Sequence, residues 1–144
     1  MMIGTKKTTD LMTELKKTEH IEDYFHGNEE NLRNETFVNA LTNYFEKQGR
    51  SKAEIARASG SSDIYLYQIF AGKRVPSRDR LTCICLGMHL NEDDTQYLLR
   101  LCGYAPLYAR DKRDAVILHG LLHHLPLAEI NNSLIDNQLG PILS

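Results

Sequence analysis

The chain has 144 residues, of which 42% are apolar and 25% are charged, and its formal net charge is −2 at pH 7. This composition is typical of a folded globular protein that needs no disulfides or metals, and it does not by itself indicate a nucleic-acid binder. No apolar run approaches the roughly 18 residues of a membrane span, and the first residues do not resemble a signal peptide. Three sparse cysteines fit a reducing compartment, so we expect a cytoplasmic protein without membrane attachment.

Apolar residues recur at helical spacing along almost the whole chain, and no alternating pattern typical of strands interrupts them. The N-terminal part predicts a helix over residues 8–20, followed by a polar break over residues 24–34. The next helix begins at Glu35 and ends at Gly49, which we expect to act as its C-cap. The remaining predicted helices span residues 52–59, 63–71, 78–89, 92–103, 111–124 and 127–138. The sequence therefore predicts an all-α protein.

One pair of predicted helices has the spacing of a helix-turn-helix. Ala56 is a small residue at the point where two helices would cross closely, and Gly60 tolerates the positive φ of a tight turn. Leu66 and Ile69 would face back into the core, and Ser62 can cap the second helix. This order of residue types is the one that the motif requires.

At these positions the chain resembles the lambda-repressor-like (Xre-type) helix-turn-helix transcriptional regulators. The matching residues are Lys52, Ile55, Ala56, Gly60, Leu66, Ile69, the segment "AGKRVPS" and Leu81. The resemblance covers roughly residues 36–104 and implies a five-helix domain, in which residues 63–71 enter the major groove of double-stranded DNA, usually from a dimer. It divides the chain into an N-terminal helical arm (1–34), a DNA-binding domain (35–104) and a C-terminal helical extension (105–144).

The second helix of the motif has an unusual outward face for a DNA reader. Once Leu66 points inward, the residues that project outward are Ile64, Tyr67, Gln68 and Ala71. Gln68 can bond adenine in the major groove, Ile64 and Ala71 can touch thymine methyl groups, and Tyr67 can reach the sugar or a phosphate. Asp63 either accepts from a cytosine amine or simply suits the positive end of the helix. The same apolar face would equally suit a protein partner.

The segment 73–80 holds four cations and one anion. Arg78 and Arg80 fall in the first turn after Ser77, the expected N-cap, where positive charge opposes the helix macrodipole. We expect a reason outside the helix, and DNA phosphate would supply one; a solvated charge cluster paired with Asp79 is the alternative. The candidate DNA-binding residues are Lys52, Asp63, Ile64, Tyr67, Gln68, Lys73, Arg74, Arg78 and Arg80.

Other chemistry is weakly indicated. His119 and His123 have a metal-capable spacing, with His124 next to them, but neither a following Glu nor a cysteine pair completes a known ligand pattern. Cys83 and Cys85 lie on opposite sides of one helix and, like Cys102, are read as buried small residues. Since no nucleophile–base pattern or phosphate-binding loop is present, we expect no enzymatic activity, no metal and no cofactor.

The C-terminal helices are strongly apolar, so they either pack on the domain's own core or form a subunit interface. The favoured function is sequence-specific DNA binding that regulates transcription, with a homodimer as a possible form. The alternatives are a protein-interaction adaptor, or an antitoxin, built on the same fold with weak or no DNA binding.

Overall fold

A computed structural model describes residues 6–32 and 35–143, and within these ranges every regular element is helical. The α-helices are α1 (Thr8–Lys17), α2 (Ile21–Gly27), α3 (Phe37–Lys47), α4 (Lys52–Ser59), α5 (Asp63–Phe70), α6 (Arg78–Gly87), α7 (Glu92–Leu101), α8 (Lys112–Leu122) and α9 (Leu127–Asp136). The prediction of an all-α protein is thus confirmed for the part of the chain described. Residues 1–5, 33–34 and 144, which belong to the expected arm and extension, lie outside it.

Two local expectations about the first half of the chain were wrong. The expected polar break over residues 24–34 contains the end of α2 and a 3₁₀ turn at Glu29–Asn31. The expected C-cap at Gly49 does not form, because α3 ends earlier and Gln48 turns to extended backbone. The Gln48 side chain donates to the carbonyls of Phe45 and Arg50 and accepts from the Arg50 N–H, each at 2.8 Å. That side chain satisfies the helix end without a left-handed glycine.

The described residues divide into two compact units, one up to Glu35 and one from Thr36 onward. In the first unit, polar side chains make several of the internal contacts. Lys6 donates to Glu14 and to the buried Asn28, whose amide in turn donates to Glu14 at 2.8 Å. Large apolar side chains of α1 and α2, such as Met12 and Phe25, stay exposed.

The second unit has a hydrophobic core to which every helix from α3 to α9 contributes. Its largest fully buried side chains are Leu41, Ile55, Leu66, Ile69, Leu81, Ile84, Met88, Leu98, Leu99, Ile117, Ile130 and Leu134. The last of these come from α8 and α9, so the C-terminal helices pack on the same core as α3–α7. Beyond α9, Ile142 is buried, and both of its backbone groups bond the Asn131 amide.

Candidate functional site

The α4–turn–α5 pair is built by local signals that the sequence carries. Ser51 and Glu54 form a reciprocal capping box at the start of α4. Gly60 ends α4 in the left-handed conformation with φ +71°, and the Ser61 N–H returns to the Ala56 carbonyl at 2.9 Å. Ser62 then caps α5 by accepting from the Tyr65 N–H at 3.1 Å. The expected turn and cap are confirmed.

The inward side of α4 and α5 packs closely against the neighbouring helices. Ala56, Leu66 and Ile69 are buried, as the spacing predicted. Gly87 in α6 was not identified from the sequence: a Cβ built there would lie 3.0 Å from the Ile55 carbonyl oxygen. A glycine inside a helix is the one sequence signal that could have revealed this close approach.

The outward side of α5 is exposed and largely apolar. Ile64 is 74% exposed and Tyr67 is 65% exposed. Ala71 and Asp63 also face solvent, whereas Gln68 is half-buried. The structure therefore gathers the predicted outward residues on one side of α5.

Lys52 joins this surface through aromatic rings. Its ammonium lies 4.9 Å from the ring centroid of Phe70, 5.4 Å from that of Phe45 and 5.9 Å from that of Tyr67. The Phe45 and Phe70 rings meet edge to face with centroids 5.2 Å apart. These contacts place the cation beside Tyr67 while leaving it accessible to solvent.

Arg74 and Arg80 converge on the other tyrosine of α5. The guanidinium of Arg80 lies 4.4 Å from the Tyr65 ring centroid, and that of Arg74 lies 5.2 Å from it. Tyr65 is buried, so both guanidinium groups lie within cation–π distance of a fixed aromatic ring. Lys73, next to Arg74, is exposed.

Arg78 makes contacts inside the fold that the sequence did not predict. Its guanidinium forms a bidentate pair with Asp114, at 3.1 and 3.0 Å, and also donates to the carbonyls of Ala105 and Pro106. Burial by itself raises the pKa of the Asp114 carboxyl, but hydrogen bonds from Arg78 and the Tyr108 N–H outweigh it and lower the pKa. Because its donors are engaged inside the fold, we leave Arg78 out of the proposed interface.

The residue after Arg78 forms a second ion pair, in which α6 supplies the carboxylate and α8 the arginine. Asp79 accepts two hydrogen bonds from Arg113, at 3.0 and 2.8 Å, rather than neutralising the cations of its own segment. Arg78 and Asp79 in the first turn of α6 thus meet Arg113 and Asp114 in the first turn of α8. The Arg-Asp dipeptide near the start of both helices was the available sequence signal.

The histidine and cysteine side chains show no ligand set. The ring centroids of His119 and His123 lie 4.4 Å apart, and the ring planes are tilted by 40°. No group of three or more His, Cys, Asp or Glu side chains that could hold a metal ion occurs among residues 6–32 and 35–143. Burial raises the pKa of Cys83 and Cys85 to about 12 and that of Cys102 to about 11. These thiols stay protonated at neutral pH.

No helix in the described ranges is long and apolar enough to cross a bilayer. Comparisons with protein-family models, with curated protein sequences and with solved structures give no match for this chain.

Proposed function

We propose that this protein binds double-stranded DNA through a lambda-repressor-like (Xre-type) helix-turn-helix, formed by α4 and α5, and regulates transcription in the cytoplasm. The observation that best supports this proposal is the distribution of cations around α5. Tyr65 and Tyr67 point about 200° apart on the helix. Lys52 lies beside Tyr67, and Arg74 and Arg80 lie beside Tyr65. The exposed face of α5 therefore has accessible positive charge on two flanks.

This arrangement suits a helix lying in the major groove between two phosphate backbones. Phosphates would take the flanking charges of Lys52, Lys73, Arg74 and Arg80, which supply affinity without sequence information. Base edges would meet the face between them, with Gln68 bonding adenine while Ile64 and Ala71 touch thymine methyl groups. Asp63 serves the positive end of α5. The preferred duplex is therefore rich in A·T pairs, and a homodimer would read two half-sites.

A second candidate function, binding to a protein partner, is favoured by one observation. Ile64, Tyr67 and Val75 are 74%, 65% and 68% exposed, which is a large apolar surface on one short stretch of chain. An adaptor or an antitoxin would cover these side chains with another protein. In that case the flanking cations would steer an acidic partner rather than DNA.

Selection from random duplexes separates the two functions. We expect enrichment of A·T-containing sites, followed by fluorescence anisotropy titrations in which affinity falls steeply as salt rises. The control is the variant Ile64→Asp, which places a carboxylate on the exposed face and should abolish enrichment without unfolding the protein. If no sequence is enriched and binding to duplex is absent at low salt, the DNA-binding proposal is wrong.

A further inference from the structure

Helices α4 to α9 all end with a residue in the left-handed conformation. The residues are Gly60, Gly72, His89, Gly103, His124 and Gln138, with φ between +55° and +80°. The hydrogen bonds at the His ends are ordinary: Leu90 N–H returns to Cys85 at 3.1 Å, and Leu125 N–H to Gly120 at 2.9 Å. Glycine meets this geometry without the steric conflict that a Cβ introduces. The histidines that end α6 and α8 are therefore strained residues where glycine would fit better.

Both strained histidines line the same cavity. It has a volume of about 330 Å³ and lies among α4, α6, α8 and the start of α9. Its third basic residue is Arg50, which donates to the Gly87 carbonyl at 3.2 Å and so is held at the end of α6. The rest of the lining is leucine, alanine and proline. Two of the left-handed non-glycine residues thus meet at one cavity, and such backbone strain at a site points to a task for the side chains that bear it.

The ionisable side chains at this cavity are all basic. No Asp or Glu contributes to its lining, and Arg50 forms no ion pair within the described part of the chain. Burial, followed by the nearby charges of Arg50 and His124, lowers the pKa of His89. The three groups therefore repel one another when protonated, and an anion placed between them would relieve that repulsion.

We propose that this cavity binds a small organic anion that carries one carboxylate on an apolar body. The carboxylate would accept hydrogen bonds from Arg50, His89 and His124, while the apolar body would lie against the leucine side chains. The volume is near the lower end of the range for small-molecule sites, which sets the ligand's size. A leucine-rich lining favours such a molecule over inorganic phosphate. The site is independent of the DNA-binding proposal.

Calorimetric titration with octanoate tests the assignment. Two further probes separate its parts: 1-octanol keeps the apolar chain without the carboxylate, and inorganic phosphate keeps the negative charge without the apolar chain. We expect saturable binding of octanoate, at least tenfold tighter than either of the other two. Equal binding of 1-octanol would show that the cavity recognises only apolar chains, and equal binding of phosphate would show that it recognises only charge. Either result, or no octanoate binding, would overturn the proposal.

The left-handed histidines allow variants that lose the site without losing the fold. His89→Gly and His124→Gly remove an imidazole and relieve strain, so each should unfold at a temperature equal to or above that of the parent while binding octanoate at least tenfold more weakly. Gln138→Gly is the matched control, since Gln138 has φ +62° at the end of α9 and does not line the cavity. Its affinity for octanoate should stay unchanged. Parental affinity in both histidine variants would contradict the assignment.

Discussion

Two sets of basic side chains in the second unit differ in what their charges contact. The outer cations are Lys52, Lys73, Arg74 and Arg80, and the inner arginines are Arg78 and Arg113. Among the outer cations, Lys52, Arg74 and Arg80 lie against aromatic rings, and among the described residues none of the four forms an ion pair. Each inner arginine donates two hydrogen bonds to a carboxylate and two more to backbone carbonyls. The outer set is available to a ligand, while the inner set holds α6 and α8 together.

Arg78 and Arg80 show why position on the helix decides between these roles. They are two residues apart, so they point about 200° apart around α6. One meets Asp114, whereas the other meets the Tyr65 ring. A local count of positive charge therefore overstates the surface offered to DNA. The two sets also predict opposite results when they are mutated, on folding stability for one and on binding for the other.

The largest expected effect is on stability. Arg78→Gln should lower the free energy of unfolding by about 2–4 kcal/mol, because it leaves the buried Asp114 carboxylate without its guanidinium. Partial exposure of the pair keeps the loss at the lower end of what fully buried pairs show. Chemical denaturation measures it. The control is Arg74→Gln, which should change stability by about 0.5 kcal/mol or less. Equal losses in the two variants would erase the distinction between inner and outer sets.

A second prediction about stability tests the packing of α4 against its neighbours. Ala56→Leu should cost about 1–3 kcal/mol, because the larger side chain has no room in the close packing around α4. Ala53→Leu on the exposed side of the same helix is the matched control and should be nearly neutral. Thermal unfolding of the two variants at one pH gives the comparison. Unchanged melting of the Ala56 variant would mean that the core of this pair is misplaced.

Sequence reasoning was sufficient where short-range signals decide the structure. The caps at Ser62 and Ser77 and the turn at Gly60 depend on residues within a few positions, and all three form as expected. The Arg78–Asp114 pair joins residues 36 positions apart, so it depends on how α8 packs. The repeated Arg-Asp dipeptide marks the two helix starts but does not specify that packing. Sequence alone could therefore attribute the cations of segment 73–80 to DNA but could not divide them between two roles.

The candidate cavity could not be predicted from the sequence, for a related reason. His89 and His124 take a backbone conformation for which glycine is the usual marker, so nothing in the sequence marks them. Arg50 joins them only because the end of α6 approaches the start of α4. Conversely, Gly49 carried a misleading signal, since the Gln48 side chain had already satisfied the end of α3.

The next prediction concerns the affinity for the selected DNA sequence. If Gln68 reads adenine, Gln68→Ala should weaken binding to the selected duplex by about 1–3 kcal/mol while sparing random duplex. Anisotropy titrations against both duplexes measure this difference. Asn132→Ala, an exposed amide on α9, should leave both affinities unchanged. Equal weakening on both duplexes would assign Gln68 to backbone contact instead of base reading.

The smallest effect, in the salt dependence of binding, separates the outer set from the inner one most directly. Lys73→Ala and Arg74→Ala should each weaken binding to all duplexes alike and reduce the slope of log K against log salt by about 0.9, since each removes one phosphate contact. Arg110→Ala and Lys112→Ala remove the same charge at exposed residues outside the proposed interface, so they should leave the slope unchanged. Arg78→Gln, measured under conditions where it is folded, should also keep the parental slope because its guanidinium is engaged by Asp114. If the slope falls by the same amount in all five variants, the protein's overall charge rather than a defined interface attracts DNA. In that case the exposed apolar face of α5 would be better explained by a protein partner.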